Sequence, residues 1–157
     1  MCANPMPKKK KQNPKDLMPT NADIGAKESD YLYVDTSQIK NAGKGLHTAI
    51  DIYKDEVISL FKGEILTDRQ VQIRLNKGQD KYFIGMLDGS IMDSAKVACF
   101  AKYANDGKAF GIETHKNNAK ITIDEYDNVC LIATRKIKSG EEIFCAYGKQ
   151  YWNNYRP

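Results

Sequence analysis

Gly140-Glu141-Glu142-Ile143-Phe144-Cys145-Ala146-Tyr147-Gly148 is the stretch on which the fold of this chain turns. Ser139-Gly140 ahead of it is a tight-turn pair, two acids follow, and the apolar run then passes through small residues to a tyrosine-glycine close. Glu142 to Ala146 therefore reads as a short strand entered from a turn. Upstream, Ala133-Thr134-Arg135-Lys136-Ile137 reads as the end of another strand, so the two strands bracket one charged turn.

Working outward, short apolar runs separated by turn residues continue back to Tyr31. The expected strands are Tyr31 to Val34, Leu46 to Ile50, Glu56 to Phe61, Lys81 to Met86, Ile121 to Ile123, Val129 to Thr134 and Glu142 to Ala146. Asn41-Ala42-Gly43, Asp88-Gly89, Asp127-Asn128 and Ser139-Gly140 supply the turn chemistry between them. Thr67 to Leu75 alone has a convincing helical start, with Thr67 as cap. The class is mainly β with short helices. Two segments, Thr48 to Ile58 and Thr134 to Phe144, also share a grammar of strand, charged turn, acid and strand, with Ile52 and Ile137 each four residues ahead of the acid. They suggest two similar β units.

With 157 residues, 41% of them hydrophobic and 28% charged, the chain suits one domain with a sizeable core. We read residues 1–29 as a flexible lysine-rich tail and 30–157 as the domain. The tail combines prolines, asparagines and lysines with few large apolar groups, so it cannot offset its ordering entropy by burial. Five lysines (Lys8, Lys9, Lys10, Lys11 and Lys15) fall in its first fifteen residues, leaving 19 basic against 20 acidic residues beyond them. A nearly neutral body argues against a broad nucleic-acid face, so nucleic acid is expected to bind only weakly, through the tail. Pro7-Lys8-Lys9-Lys10-Lys11 resembles a nuclear import signal, which points to the nucleus and otherwise to the cytoplasm. No apolar run reaches the roughly 20 residues of a membrane span, so the expectation is a soluble, intracellular protein with no membrane partner. Cys2, Cys99, Cys130 and Cys145 lack zinc-type spacing and read as reduced thiols, three of them in apolar surroundings. No metal is expected.

Gly43-Lys44-Gly45-Leu46, Lys102-Tyr103-Ala104-Asn105-Asp106-Gly107, Asn117-Asn118-Ala119 and the closing Gly140 to Gly148 stretch, in that order, together resemble the motifs of the SET domain family of protein lysine methyltransferases. The resemblance covers about Tyr31 to Trp152. It implies a fold of several small sheets with a C-terminal pseudoknot, in which the Tyr147-Gly148 segment threads the segment bearing Asn105. It also implies S-adenosylmethionine as cofactor and a protein or peptide lysine as substrate, with a histone tail as one candidate.

Methyl transfer from a sulfonium to an amine is an in-line displacement that needs alignment and a neutral amine more than an acid or a metal. The resemblance makes Tyr147 the central catalytic tyrosine, also beside the cofactor, and Tyr82, in a Tyr-x-Phe pattern with Phe83 and Ile84, a second tyrosine lining the lysine channel. Cofactor contacts are implied at Gly43, Lys44 and Gly45, at Lys102, Tyr103, Asn105 and Asp106, and at Tyr151 and Trp152, where an aromatic ring stacks on adenine. Lys102 and Tyr103 are expected on a strand-like stretch beside Asn105, and Ser90 to Ser94 as a strand beside the bound peptide.

This chain departs from the family at three places. Asp106 stands where histidine is usual, setting an acid beside the expected adenine end. Cys145 stands where a phenylalanine or tyrosine commonly limits the number of methyl groups, which leaves mono-, di- and trimethylation open. Residues 149–157 carry no cysteine, so a zinc-bound tail is not among them, and the lysine channel is left to be closed by Tyr151 to Tyr155 or by a partner. The alternative reading is a catalytically inactive module of the same fold that binds peptide or chromatin.

Overall fold

The computed structural model describes residues 23–108, 114–148 and 151. Strands β1 (Leu32–Thr36), β2 (Lys44–Thr48) and β9 (Glu142–Ile143) form one antiparallel sheet in the order β1-β2-β9. Strands β3 (Val57–Leu60), β8 (Val129–Ala133) and β7 (Ala119–Ile123) form a second, and β4 (Glu64–Leu66), β6 (Ile91–Asp93) and β5 (Phe83–Gly85) a third. The expected mainly β architecture of small sheets is what the chain adopts. Its centre is β8, whose run Val129-Cys130-Leu131-Ile132-Ala133 is buried at every position, as an unbroken apolar strand covered on both faces must be. Leu46, Ile52, Ile58, Leu131, Ile137 and Ile143 have no exposed surface and join the sheets into one core.

All seven expected strands exist, with shifted ends. Tyr31 closes a one-turn helix, α1 (Glu28–Tyr31), instead of opening β1. Lys81 and Tyr82 form the turn ahead of β5. Beyond Ile143 the last strand continues only as isolated bridges at Phe144 and Cys145. Every expected turn contains left-handed backbone, at Asn41 and Gly43, Gly89, Asp127 and Gly140. The helix α2 (Asp68–Asn76) begins as its cap predicts: Thr67 and Gln70 form a reciprocal capping box. It buries none of its residues, however, and Ile73 and Leu75 face outward. Val71 and Leu75, four residues apart, share one face while Ile73 between them points elsewhere, so no broad apolar stripe forms and polar contacts hold the helix, with Arg74 bonded to Asp93 and, at 2.6 Å, to Glu64.

The shared grammar of the two charged turns is a local two-fold relation. Ile52 and Ile137 pair with each other through two N–H to O=C bonds of 2.8 Å. On one side Tyr53 donates its N–H to Glu56 Oε2 at 2.7 Å; on the other Lys138 donates its N–H to Glu141 Oε2 at 2.6 Å. Asp55 and Gly140 take the matching left-handed positions, with φ of 71° and 86°. Each turn also bonds to the far unit's strand end, Asp55 N–H to Ala133 O at 2.9 Å and Gly140 N–H to Thr48 O at 2.6 Å.

The C-terminal segment runs between two limbs of the chain. Phe144 bridges Asn105 on one side, and Cys145 bridges Ala119 on the other, both in parallel. Cys145 N–H donates to Asn105 O at 2.8 Å, and Asn118 and Ala119 donate to Phe144 O at 3.0 and 2.9 Å. Asn118 clamps the crossing with its side chain, giving Nδ2–H to Glu142 O and accepting Phe144 N–H, each at 2.8 Å. This is the crossing that the resemblance implies, and it brings Asn105 and Tyr147 to one place.

Candidate active site

A cleft of about 300 Å³ opens where the β1–β2 loop, the segment 101–105, the turn before β5 and the C-terminal segment meet. Gly43, Lys44, Lys102 and Tyr103 line it. So do Asn105, Tyr82, Tyr147 and Tyr151. Gly45 and Asp106 are buried behind its wall, and Trp152 lies outside the described residues.

The loop glycines have separate reasons. Gly43 has φ of 77° and accepts Ser37 N–H at 2.8 Å, closing the hairpin. Gly45 is crowded, because a Cβ there would lie 2.2 Å from Glu142 Oε1. The Glu142 carboxylate fills that space, with a side chain that has no exposed surface. It accepts Ser37 Oγ–H at 2.6 Å, Gln38 N–H at 2.6 Å and Asn105 Nδ2–H at 3.2 Å, with His47 Nε2 4.0 Å away. Asn105 also gives Nδ2–H to Lys44 O at 2.9 Å. Its amide therefore ties the loop to the buried acid while its residue lines the cleft.

Lys102 and Tyr103 lie in a single 3-10 turn, Ala101–Tyr103, where a strand-like stretch was expected. The turn lets Lys102 Nζ reach back to donate to Ser94 O, Ala95 O and Val97 O at 3.1, 3.3 and 2.9 Å. The same ammonium stands 5.7 Å from the Tyr82 ring and 5.4 Å from the Tyr103 ring, within cation–π range. Lys81 Nζ lies 5.4 Å from the Tyr82 ring, so two lysines flank that tyrosine.

Tyr147 donates its hydroxyl to Ala104 O at 2.7 Å and meets the ring of Tyr151 edge-on, with centroids 4.7 Å apart. Burial, with Cys145, Tyr151, Asp106 and Tyr82 adding to it, pushes its phenol well above the ordinary value. The phenol keeps its proton at physiological pH. With that proton given to Ala104, the oxygen can meet a further group only as an acceptor. Cys145 is buried with Sγ 3.9 Å from Ala104 O, and burial holds its thiol far above the ordinary range. Cys99 and Cys130 are buried free thiols as well, as expected of small core hydrophobes.

Three contributors escaped the sequence reading. Ala104 acts through its carbonyl, which no side-chain motif announces. Ser94, read only as a strand end, lines the cleft with a buried hydroxyl that has no hydrogen-bond partner among the described residues. Glu142 was visible as an acid in an apolar strand, the signal that marks it in the sequence.

The family model of the SET domain matches residues 43–148, well over half of the chain. The chain belongs to the SET domain family. A curated protein of Eremothecium gossypii, named histone-lysine N-methyltransferase, H3 lysine-36 specific, is 25% identical to it over 130 residues, covering 76% of this chain and 18% of that protein. The chain thus spans less than a fifth of the length of the curated relative it matches. The SET domain match starts at Gly43 and ends at Gly148, the two segments that meet at the cleft. Among the described residues of this SET domain, no group of histidine, cysteine and acid side chains could hold a metal ion, and no helix is long and apolar enough to cross a membrane.

The buried titratable groups set an alkaline limit on stability. Tyr31 donates its hydroxyl to Ile58 O at 2.8 Å, and burial, with Glu28, Asp23 and Glu56 adding to it, pushes its pKa up to about 12. Burial pushes the Cys130 thiol up to about 11. Both raised values mean that the folded chain holds these protons more tightly than the unfolded one. Their contribution is complete below the unfolded values of 9.0 and 10.0 and is lost as pH rises through the folded ones. The melting temperature is expected to stay level through about pH 8.5 and to fall from about pH 9.5 to 11; a rise over that interval in thermal melts contradicts this account.

Proposed function

We propose that this chain transfers a methyl group from S-adenosylmethionine to the ε-amine of a protein lysine, with a histone tail as the first candidate substrate and the nucleus as its place of action. The observation that carries the reading is Tyr147, a protonated tyrosine with its hydroxyl tied to Ala104 O, in a cleft shared with the Gly43-Lys44 loop and Tyr82. Family membership supports lysine methyl transfer in general, and the name of the Eremothecium gossypii relative supports a histone substrate.

The residues present fit the cofactor. A cleft of about 300 Å³ walled by tyrosine rings suits a cationic sulfonium and an alkylamine, and the Ser94 hydroxyl offers a polar contact that the protein leaves unused among its described residues. When bound, S-adenosylmethionine supplies an electrophilic methyl group on sulfur. Lys44 would face its carboxylate, Asn105 would hold the loop at its amino-acid end, and Tyr151 would stack at its adenine. Tyr82 and Tyr147 would line the lysine's approach, and the Tyr147 oxygen would accept a hydrogen bond from the amine and orient its lone pair.

Only a neutral amine attacks, and free lysine titrates near 10.4, so the rate should rise with pH. The raised Tyr147 phenol keeps its proton throughout that range. Labelled methyl incorporation into histones and into a cell lysate is expected to increase steadily from about pH 7 to 9, within the stable range. A flat profile would remove amine deprotonation as the limiting step. No incorporation by the wild type at any pH would leave the alternative, a peptide- or chromatin-binding SET module.

A further inference from the structure

We propose that the carboxylate of Asp106 is a positioning group for Tyr147, not a contact to the cofactor; the inference rests on Tyr147 acting at the reacting atoms. Asp106 is 5% exposed. Its Oδ2 accepts the main-chain N–H of Tyr147 at 3.0 Å, while Oδ1 accepts Lys108 N–H at 2.9 Å and Asn117 Nδ2–H at 3.1 Å. Asn117 in turn accepts Gly107 N–H on Oδ1 at 2.8 Å. The two limbs are pressed together here: Gly107 O accepts Thr114 and His115 N–H at 3.0 and 3.1 Å, and a Cβ on Gly107 would lie 2.2 Å from His115 O.

The acid thus points into the crossing and away from the cleft wall. Tyr147 is fixed at two points by one short segment, its hydroxyl by Ala104 O and its main chain by Asp106. An acid is what this junction requires. Two carboxylate oxygens can accept the three donors found among the described residues, whereas an asparagine has one accepting oxygen and a histidine at most one accepting nitrogen. Either replacement sets a part-buried N–H against another donor, and the main chain at Tyr147 must shift to relieve it. A shift of 1 Å at a reacting group costs on the order of 100-fold in rate.

The test uses the full chain with Asp106→Asn and Asp106→His. Wild type and variants are compared for kcat and KM with a lysine peptide or histone, for the Kd of S-adenosylmethionine by calorimetry, and for hydrogen exchange of the Tyr147 amide by NMR. Expected are a fall in kcat on the order of 30- to 100-fold, a cofactor Kd within about twofold of wild type, and at least about tenfold faster exchange of the Tyr147 amide once its acceptor is lost. A cofactor Kd weakened more than about fivefold with kcat retained would make Asp106 a cofactor contact and overturn the proposal, as would unchanged kcat and exchange. Tighter cofactor binding with a faster rate in Asp106→His would overturn it too.

Should either variant fail to fold, Asn117→Ala removes one partner of Asp106 while leaving the Tyr147 bond. It is expected to lower kcat by about threefold to tenfold with cofactor Kd unaltered; lost cofactor affinity, or no change at all, overturns the proposal. An inactive wild type sinks the methyl-transfer function and this role with it. An active wild type with undiminished kcat in Asp106→Asn sinks this role alone.

Discussion

Replacing Tyr147 with phenylalanine is expected to lower methyl transfer at least about 100-fold at saturating cofactor and substrate, while the Kd for S-adenosylmethionine stays within about twofold. The change removes one oxygen. It keeps the ring that meets Tyr151 edge-on and the main-chain N–H held by Asp106. What it loses is an oxygen of fixed direction: the hydroxyl proton is committed to Ala104 O, so the oxygen meets an amine only as an acceptor. Burial keeps the phenol protonated, so the loss should be equally large across the neutral range and show no titration of its own. Incorporation of labelled methyl measures the rate and calorimetry the affinity. A variant within about threefold of wild type would remove Tyr147 from the reaction.

The second large effect concerns stability. Glu142→Ala is expected to cost about 1.5–3 kcal/mol, the range for losing hydrogen bonds made to a charged group. Three donors converge on that carboxylate from remote segments, Ser37 and Gln38 after β1 and Asn105 after the 3-10 turn; Ser37 and Gln38 would lose this part-buried acceptor, and Asn105 would keep only Lys44 O. Gly45→Ala should act on the same junction from the other side, because its Cβ would displace the carboxylate. Urea denaturation of both variants checks this, with the midpoint expected to fall at unchanged slope. A loss below about 1 kcal/mol for Glu142→Ala would mean that the junction is hydrated. Cofactor binding should weaken together with stability in both variants, because the Lys44 loop hangs on the same junction through Asn105.

Much of the fold was legible because its signals are local. β8 announces itself as a run without polar interruption, each turn contains a residue tolerant of left-handed backbone, and Thr67 with Gln70 starts α2 as capping chemistry requires. The three-residue strand β4 and the one-turn α1 were not, since elements of that length hold only by pairing with remote partners. Lys102 and Tyr103 form a tight turn because Lys102 caps three carbonyls of a neighbouring turn, which spacing along the chain does not encode. The site was legible as motifs, and eight of its expected residues line one cleft. The direction of each side chain was not legible. Gly45 is small for the sake of Glu142, and Asp106 is acidic to serve Tyr147 and Asn117 besides its neighbour Lys108, so both reasons depend on residues that sequence distance hides.

The late position of Glu142 and Tyr147 also bears on synthesis. While a ribosome has delivered the chain only as far as β8, β2 lacks its neighbour β9, Asn105 lacks Glu142, and Ser37 and Gln38 face an empty place. At about 5–20 residues per second the missing piece follows within seconds, yet its contacts span most of the chain and close slowly. A nascent chain therefore carries Gly43, Lys44 and Asn105 before it can form the cleft, and β9 with the segment that follows it both joins the sheet and completes the site.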